Sequence, residues 1–425
     1  MKIKVAFISE HASPLATIGG VDSGGQNVYV AELAKQLAGI GYEIDIYTRN
    51  DDFSLQKIID WIPGIRVIHV NAGPACPVPK EELWSYMPEF RDNMLSFMQK
   101  EKLNYELIHA NFWMSGWVAL EIKEILGVPF AITFHALGYI RKLYQHDEDK
   151  FPSVRIPVEK EIAKYADVII AECPQDKQDL INYYSAPEER IAVIPCGFSK
   201  DEFNPVSKAH SRKKLGLDPD ELIILQLGRM VARKGIDNVI RATSLLCESN
   251  LRVRLLVVGG DFELAEISDN AELQRLKSIV EKEGITHAVT FTGRKDRDIL
   301  RYYYSAADIF VTTPWYEPFG ITPLESMACG TPVIGSNVGG IKYSVEDGKT
   351  GFLVPPENAE ALAACMRTLF ADPVILQSMR FESIKRVNSM FTWHKVAISV
   401  SEVYKTLSMH VERELLPAKA KTKAA

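Results

Sequence analysis

The sequence predicts an α/β fold with two doubly wound domains, each built on a parallel sheet that helices cover on both faces. Two observations lead to this prediction. Short runs rich in β-branched residues alternate with amphipathic helical segments along the 425 residues, which is the pattern of repeated strand–helix–strand units. The alternation also falls into two series of about 200 residues each, and domains of that length are ordinary.

The first series begins with a buried strand and contains seven predicted strands. The segments between them carry apolar residues at helical spacing, as Leu33, Leu37 and Ile40 do after the first strand. The predicted strands are VAFIS (5–9), YEIDIYT (42–48), RVIHV (66–70), LIHA (107–110), FAITFH (130–135), DVIIAE (167–172) and RIAVIP (190–195).

The second series repeats the pattern with six strands. The turn-rich segment 196–208 is the predicted join, so domains are expected at residues 1–205 and 206–392. One helix is expected at about 393–416, and the basic, low-complexity tail 417–425 is expected to be disordered. The predicted strands are LIILQLG (222–228), VRLLVVGG (253–260), VTFTG (289–293), DIFVTT (308–313), PVIGS (332–336) and GFLVP (351–355).

Composition excludes several classes of function. The 49 basic and 55 acidic residues give a formal net charge of −6, which provides no general attraction to nucleic acid or to an anionic membrane. The six cysteines show no CxxC spacing, so neither a disulfide framework nor a zinc site is expected. No apolar run approaches the length of a transmembrane helix, and the start MKIKVAFISE reaches Glu10 too soon for a signal peptide. A cytoplasmic protein is therefore expected.

The first strand runs into a long loop that contains Gly19, Gly20, Gly24 and Gly25 and leads into a helix. Glycines let the backbone approach a ligand, and the free N–H groups of a helix start bind anions. The spacing is not the GxGxxG of nicotinamide enzymes, so a dehydrogenase is disfavoured. A flexible surface loop is the alternative interpretation.

The second domain opens with a cationic turn. Arg229 and Lys234 follow the strand 222–228 and precede a helix. Two cations at a strand end beside a helix N-terminus form an anion site, for which a diphosphate is a suitable ligand. The alternative is a pair of solvated surface cations.

The segment WYEPFGITPLESMACGTPVIGS carries the most specific pattern, because Glu317 and Glu325 stand with seven residues between them. Glu325 has an alternative structural role, since Thr322 could cap a helix with Pro323 in its first turn and form a capping box with Glu325. Glu317 has no such role. Carboxylates and free N–H groups in one turn suit a polyhydroxylated ligand joined to phosphate.

His135 ends a predicted strand and would lie at the ligand-binding edge of the sheet, where ligands bind in parallel-sheet proteins. A rim histidine bonded to the backbone is the alternative. Asp147 and Asp149 form a D-x-D pattern that could hold a divalent metal, but they fall in an acidic loop away from any strand end. A metal site is therefore not expected.

The motifs GGVDSGGQNVYVAEL, FHALG, LGRMVARKG and EPFGITPLESMACGTPVIGSNVGG together resemble glycosyltransferase family 4, the retaining transferases of the GT-B fold. The resemblance covers most of residues 1–400. It is nearest to the branch that holds sucrose-phosphate synthases, mannosylfructose-phosphate synthases and the inositol-phosphate glycosyltransferases of mycothiol synthesis.

This resemblance implies two Rossmann-like domains facing a cleft, with the final helix crossing back onto the N-terminal domain. It implies that Arg229 and Lys234 hold the donor diphosphate, that Glu325 bonds the nucleotide ribose, and that His135 contacts the transferred sugar. The residues it assigns to catalysis are His135, Arg229, Lys234 and Glu317. Those it assigns to the donor are Gly24, Gly25, Arg229, Lys234, Pro318, Phe319, Gly320, Ile321 and Glu325.

The resemblance also identifies an acceptor side. It implies that Lys80 and Arg155 bind an acceptor phosphate, as a Lys–Arg cluster would, and that Gln26 and Arg141 contribute. Plain surface cations are the alternative for Lys80 and Arg155. The chain departs from the mycothiol branch at Phe112 and Ala136, where that branch has Tyr and Thr, so a phosphosugar acceptor is favoured over any named acceptor.

The expected activity is that of a retaining hexosyltransferase that moves a hexosyl group from a nucleotide-sugar, UDP-glucose first, to a phosphorylated sugar or polyol. GDP-mannose or UDP-N-acetylglucosamine as donor, a GT-B nucleotide-sugar epimerase and a non-catalytic sugar-nucleotide sensor are the alternatives. Neither a cofactor nor a metal is expected, because cations in the cleft would stabilise the departing diphosphate.

Overall fold

The computed structural model describes residues 3–16, 24–249, 251–260 and 270–422. The chain divides into two compact units. Of the described residues, the N-terminal unit comprises 3–16, 24–195 and those from Trp393 onward, and Cys196–Thr392 belong to the C-terminal unit. The division after Pro195 falls ten residues before the predicted boundary at 205, because the turn-rich join packs with the second unit.

The N-terminal unit has an eight-stranded sheet whose strands, except one, are parallel. Its strands are β1 (Lys4–Ile8), β2 (Glu43–Arg49), β3 (Ile58–Ile62), β4 (Ile65–Val70), β5 (Leu107–Asn111), β6 (Phe130–Thr133), β7 (Val168–Ala171) and β8 (Ile191–Val193). Its helices are α1 (Gly25–Gly39), α2 (Met87–Lys100), α3 (Trp113–Leu126), α4 (Gly138–Gln145), α5 (Arg155–Tyr165), α6 (Pro174–Tyr184) and, from the end of the chain, α15 (Trp393–Thr422), with 3-10 helices at Lys80–Tyr86, His146–Glu148 and Glu188–Arg190.

The sheet order in this unit is β3-β4-β2-β1-β5-β6-β7-β8. The chain therefore winds outward from β1 in one direction and then from β5 in the other, so the winding reverses between β1 and β5. Strand β3, which the sequence did not predict, pairs antiparallel with β4 across a tight turn at Pro63 and Gly64. Gly64 has a φ of 87°, which glycine adopts without strain.

The C-terminal unit has a fully parallel six-stranded sheet of order β11-β10-β9-β12-β13-β14, so its winding reverses between β9 and β12. Its strands are β9 (Leu222–Leu227), β10 (Val253–Val258), β11 (Val289–Gly293), β12 (Ile309–Thr312), β13 (Val333–Ser336) and β14 (Gly351–Val354). Its helices are α7 (Lys208–Leu215), α8 (Ile236–Cys247), α9 (Ala271–Lys282), α10 (Arg297–Ala306), α11 (Ile321–Ala328), α12 (Ile341–Ser344), α13 (Ala359–Ala371) and α14 (Pro373–Met390), with a 3-10 helix at Ala232–Lys234.

Apolar side chains bury both sheets beneath their helices. In the N-terminal unit, Phe90 of α2 and Trp113 of α3 belong to one buried cluster with Ile108 of β5. In the C-terminal unit, Ile240 of α8 packs in a cluster with Ile224 of β9. Strands buried on both faces explain why the predicted strands read as nearly continuous apolar runs. The predicted fold class, two doubly wound α/β domains, is confirmed.

The last helix, α15, returns the chain to the N-terminal unit. The ring of Trp393 packs edge-on against Tyr29 at 5.7 Å, and the hydroxyl of Tyr404 lies 2.6 Å from Nδ1 of the buried His109. Helical backbone continues to Thr422, past the predicted end near 416 and into the segment expected to be disordered. Alanine and lysine, which dominate that segment, have high helix propensity.

Each of the six cysteines lies in the described part of the chain and carries a free thiol. Within the same residues, none of the helices combines the length and the apolarity needed to cross a membrane.

A buried ion pair ties the first helix of the C-terminal unit to its sheet. Asp308, directly before β12, accepts hydrogen bonds from Nη2 of Arg212 at 2.9 Å and from the backbone of Ile223 at 2.6 Å, and it also bonds Lys208. We expect Asp308→Asn to lower the free energy of unfolding of this unit by about 3–5 kcal/mol, because it leaves buried Arg212 without its counter-ion. Urea unfolding measures the change. The exposed Asp220→Asn is the control, and equal unfolding midpoints for the two variants would contradict the prediction.

Candidate active site

In doubly wound sheets, ligands bind beyond the carboxyl ends of the strands, at the point where the winding reverses. This point lies between β9 and β12 in the C-terminal unit and between β1 and β5 in the N-terminal unit. Most residues predicted for the donor follow β9 and β12, whereas Gly24 and Gly25 of the predicted donor set, His135, Gln26 and the predicted acceptor residues belong to the N-terminal unit.

In the C-terminal unit, the predicted phosphate cation and the predicted sugar-binding carboxylate bond each other. Nζ of Lys234, at the end of the 3-10 helix after β9, donates to Oε2 of Glu317, in the loop after β12. Nη1 of Arg233 lies 4.0 Å from the same oxygen. The three side chains are only 14–19% exposed. One carboxylate thus lies among several cations at the reversal point of the sheet.

The pKa values of Lys234 and Glu317 both lie below their ordinary values, for different reasons. Burial lowers the pKa of Lys234 to about 8, and the positive charges of Arg233 and Arg229 add to this effect while Glu317 opposes it. Burial alone would raise the pKa of Glu317, but Lys234, Arg233 and Arg229 outweigh it and hold that pKa below its ordinary value. The cluster has more positive than negative charge, so an added anion is electrostatically favoured there.

Backbone contacts hold the two loops of this cluster together. Gly235, with a φ of 64°, lies so close to the loop after β12 that an added Cβ would stand 2.1 Å from the carbonyl oxygen of Thr313. The hydroxyl of Thr313 donates to the carbonyl of Gly235 at 2.9 Å, and the N–H of Trp315 donates to the carbonyl of Arg233 at 3.0 Å. A side chain at position 235 would separate Lys234 from Glu317.

The predicted donor-sugar loop consists of Pro318, Phe319, Gly320 and Ile321. It packs against the glycine pair Gly339 and Gly340. The N–H of Gly340 is 3.2 Å from the carbonyl of Glu317 and 3.1 Å from that of Pro318. A Cβ on Gly340 would stand 2.3 Å from Cα of Phe319. The sequence SNVGG therefore provides the space that the EPFG loop occupies.

Glu325 does not form the capping box that the sequence allowed. Helix α11 begins at Ile321 with Gly320 as its N-cap, so Thr322 lies inside the helix. Instead, Glu325 is buried and accepts from Tyr304 at 2.9 Å and from Arg297 at 3.1 Å. Burial raises the pKa of Glu325, although Arg297 and Tyr304 oppose the rise. Its predicted contact with a ribose stays a prediction, since these partners already bond its oxygens.

In the N-terminal unit, His135 lies beyond the strand that was expected to contain it. β6 ends at Thr133, and His135 has a φ of 58° in a three-residue turn closed by the N–H of Ala136 and the carbonyl of Phe134 at 2.7 Å. A non-glycine residue in this region carries strain of about 1–3 kcal/mol, which the surrounding contacts must offset. Such strain is common at functional sites.

Both ring nitrogens of His135 are bonded. Nδ1 lies 3.1 Å from Oε1 of Glu172, and Nε2 lies 3.0 Å from Oδ1 of Asn111. The amide nitrogen of Asn111 points to the carbonyls of Ile8 and His109, so its oxygen must face the ring and Nε2 must donate. The ring of His135 is thus a fixed hydrogen-bond donor towards Asn111.

Gln26 joins this group from the first turn of α1. Its amide nitrogen lies 3.2 Å from the hydroxyl of Ser9 and 3.3 Å from the carbonyl of Asn111. Gly24 is the N-cap of α1 and Gly25 its first residue, and the N–H of Gly24 donates to Asn27 at 2.9 Å. Gly19 and Gly20 lie outside the described residues.

Only 2% of Arg155 is exposed. The alternative interpretation of Arg155 as a plain surface cation is therefore wrong. Its Nε donates to Glu159 at 2.7 Å and its Nη2 to the carbonyl of Ala136 at 2.5 Å. Arg141 bonds Asp149 at 3.1 Å, which gives one carboxylate of the D-x-D pattern a structural partner. Lys80 is partly exposed at the start of a 3-10 helix.

Sequence reasoning missed several residues that complete these groups. No motif marks Asn111 or Glu172, although both stand at strand ends like His135, and that position was the available signal. Arg233 adjoins the predicted Lys234 but was not among the predicted residues. The other missed residues are Glu10, His11, Ser115, Arg297 and Tyr304. Over the described ranges, no group of three or more histidine, cysteine, aspartate or glutamate side chains could hold a metal ion.

Comparison with known proteins gives consistent results. Residues 23–202 match Glycosyltransferase Family 4, and residues 207–386 match Glycosyl transferases group 1. The D-inositol 3-phosphate glycosyltransferase of Thermobispora bispora is 34% identical over 418 residues, which cover 96% of each protein. The structure of sucrose-phosphate synthase from Thermosynechococcus elongatus is 35% identical with a TM-score of 0.88, covering 96% of this chain and 99% of that one.

A more distant structure supports the fold alone. Anabaena HepE, solved with UDP and glucose, is 18% identical with a TM-score of 0.73 and covers 95% of this chain and 100% of its own.

The lowered pKa of Lys234 predicts that binding of a nucleoside diphosphate takes up protons. Near pH 8 part of the ligand-free protein carries neutral Lys234, and a bound diphosphate favours the charged form, so protons enter and affinity falls as the pH rises above about 8. Calorimetric titration of UDP in buffers of different ionisation enthalpy measures the uptake. Lys234→Arg keeps the charge at every such pH and should abolish it. Equal uptake in both proteins would contradict the assignment.

The contact between Glu172 and His135 predicts a loss of turnover in Glu172→Gln. The glutamine can still accept from Nδ1 but removes the negative charge, so we expect the transferase turnover number to fall roughly tenfold, the size of one charge-assisted hydrogen bond. Steady-state kinetics measures it. The exposed Glu189→Gln is the control, and a turnover number as high as in that control would show that Glu172 does not position His135.

Proposed function

Because this chain belongs to the glycosyltransferase family of these relatives, in the branch of sucrose-phosphate synthase and the inositol-phosphate glycosyltransferases, we propose that it is a retaining hexosyltransferase. Its donor is UDP-glucose, and its acceptor is a phosphorylated sugar or polyol. The C-terminal unit binds the donor and the N-terminal unit binds the acceptor.

The observation that carries this proposal is the cluster of Lys234, Arg233 and Glu317 at the reversal point of the C-terminal sheet. Its excess of positive charge suits a diphosphate, and its carboxylate suits sugar hydroxyls. In a site of lowered dielectric, each such contact to a developing charge is worth a few kcal/mol, on the order of 2–4.

The proposed reaction exchanges one bond for another. The bond between the anomeric carbon and the diphosphate oxygen breaks, and a bond from that carbon to the acceptor hydroxyl oxygen forms. The hydroxyl proton passes to the departing phosphate, whose charge Lys234 and Arg229 stabilise. The acceptor attacks from the side of the leaving group, which retains the configuration. Glu317 is bonded to Lys234, which favours a binding role for it over that of a nucleophile.

Two observations support a phosphorylated acceptor. One relative is named for a phosphorylated polyol, D-inositol 3-phosphate, and one solved structure for a phosphorylated sugar, sucrose phosphate. The N-terminal unit also holds cations on the predicted acceptor side, buried Arg155 and partly exposed Lys80. Phe112 and Ala136 carry no hydroxyl, which favours a phosphosugar. We also propose that the reaction takes place in the cytoplasm. We assign it no metal ion, because the cations stabilise the charge of the departing diphosphate.

A matrix of donors and acceptors tests the proposal. UDP-glucose, GDP-mannose and UDP-N-acetylglucosamine are each incubated with phosphorylated sugars and polyols in the presence of a chelator, and products are identified by mass and anomeric configuration. Transfer from UDP-glucose with retention is expected. Conversion of a donor in the absence of acceptor would indicate an epimerase, and a glycosylated carboxylate on the protein would refute the attack geometry.

Lys80→Ala tests the acceptor side. We expect it to lower kcat/KM for a phosphorylated acceptor by about tenfold or more, because it removes a charge-assisted contact to phosphate. The KM of the donor should change little. Lys100→Ala, in α2 of the same unit, is the control. Equal losses for phosphorylated and unphosphorylated acceptors would reject the role of Lys80.

A further inference from the structure

The last helix, α15, contacts side chains that surround His135, although no predicted site residue lies on it. Trp393, its first residue, is 1% exposed, and Tyr404, three turns later, is fully buried. Both belong to the N-terminal unit, as His135 does. Two routes of contact lead from these side chains to His135, one through aromatic rings and one through hydrogen bonds.

The aromatic route passes through Tyr29 of α1. The ring of Trp393 meets that of Tyr29 edge-on at 5.7 Å, and the ring of Tyr29 meets that of His135 edge-on at 4.7 Å. Tyr29 is fully buried. Edge-to-face contacts are a favourable arrangement of aromatic rings. Tyr29 thus lies between the first residue of α15 and the ring of His135, so a shift of Trp393 would change how Tyr29 packs against His135.

The hydrogen-bond route passes through His109 of β5. The hydroxyl of Tyr404 lies 2.6 Å from Nδ1 of His109, and Nε2 of the same ring lies 2.9 Å from Oγ1 of Thr133. Thr133 ends β6, two residues before His135. The hydroxyl of Tyr29 lies 3.4 Å from the same Oγ1. The two routes therefore meet at Tyr29 and Thr133.

The ring of His109 is neutral and needs a partner at each nitrogen. Burial, with a smaller contribution from the charge of His135, lowers the pKa of His109 to about 3. A neutral imidazole donates from one nitrogen and accepts at the other, and the hydroxyls of Tyr404 and Thr133 can each donate or accept. Loss of the Tyr404 hydroxyl would leave a buried nitrogen unpaired, which favours a shift of His109 and of its other partner, Thr133.

The backbone of His135 makes this support necessary. His135 has a φ of 58°, a left-handed conformation in which a non-glycine residue carries strain. Glu172 and Asn111 bond its two ring nitrogens, and Tyr29 packs against the ring. The position of the ring therefore depends on Tyr29 and on the end of β6, and α15 supports both.

We propose that α15 positions His135 for the transfer reaction. Trp393 and Tyr404 are the positioning residues of this helix, and they act through Tyr29 and His109. The inference rests on the proposed function, from which it takes the catalytic role of His135, and it adds that the turnover number depends on how the last helix is packed.

Tyr404→Phe tests the hydrogen-bond route. It keeps the ring and removes the hydroxyl, so we expect kcat to fall about fivefold, the size of one buried hydrogen bond, while the KM of the acceptor changes little. The control is Ser401→Ala, which removes another buried hydrogen bond of α15, that of 2.8 Å to Tyr42, and leaves both routes in place. Steady-state kinetics with UDP-glucose and fructose 6-phosphate measures the parameters, and thermal midpoints show that the variants fold.

Trp393→Leu tests the aromatic route, and Trp393→Phe is its conservative counterpart. Leucine removes the aromatic ring that contacts Tyr29, whereas phenylalanine keeps one. We expect kcat to fall about fivefold in Trp393→Leu, the size of one aromatic contact, and to recover in part in Trp393→Phe.

Nitrogen NMR of the histidine rings gives a readout that does not depend on activity. In the full chain, isotope-labelled at its histidines, the ring signals of His135 report its hydrogen bonds, and His135→Gln identifies them by their disappearance. We expect these signals to shift in Tyr404→Phe and Trp393→Leu and to stay in place in Ser401→Ala.

An unchanged kcat and unshifted His135 signals in both Tyr404→Phe and Trp393→Leu would overturn the inference and leave the proposed function intact. An equal fall of kcat in Ser401→Ala would also overturn it, because any loosening of α15 would then have the same effect. If the wild-type protein transfers sugar to no acceptor, the proposed function is rejected together with the effect on turnover, and the NMR signals still decide whether α15 positions His135.

Discussion

The excess of positive charge around one partly buried carboxylate is the constraint on which the C-terminal site depends. Glu317 would be costly to bury alone, and Lys234 and Arg233 would repel each other without it. Together they form a stable group that still favours one more negative charge. A diphosphate would meet this requirement, and because Lys234 donates to Glu317, its binding would change the hydrogen bonds of the carboxylate as well. The groups predicted for phosphate and for sugar are therefore energetically coupled.

Close backbone approach makes this arrangement possible. The loops that carry Lys234 and Glu317 come from different strands, and they meet because Gly235 has no side chain to obstruct the carbonyl of Thr313. Gly340 provides the same space beneath the EPFG loop. In both places a methyl group would collide with backbone, which cannot move aside as a flexible side chain could. The glycines of these segments therefore define the geometry of charged groups that lie one to several positions away.

The N-terminal unit also pairs carboxylates of low exposure with partner side chains, as the C-terminal unit does at Glu317. Three of its buried carboxylates are each bonded to a basic or hydroxyl-bearing side chain: Glu159 to Arg155, Glu172 to His135 and Glu10 to His11 and Ser115. In each pair the carboxylate limits the rotation of a group that could meet a ligand. Low exposure strengthens these contacts and makes the loss of either partner expensive. These contacts between side chains of the same unit therefore restrict the motion of the polar groups that they join.

The sequence by itself determined the fold class, thirteen of the fourteen strands found in the described residues, and the segments that carry the cationic turn and the paired glutamates. These features depend on local patterns: apolar runs mark buried strands, and glycines and charges mark their ends. Only the tertiary structure decided which side chains meet. The bond between Lys234 and Glu317 joins residues 83 positions apart, and the partners of Glu325 and His135 come from other helices and strands. The capping box at Thr322 failed for the same reason, because Gly320 starts the helix earlier and Tyr304 and Arg297 bond Glu325. Pairings between distant segments follow from strand order and helix packing, which leave no mark in the neighbouring sequence.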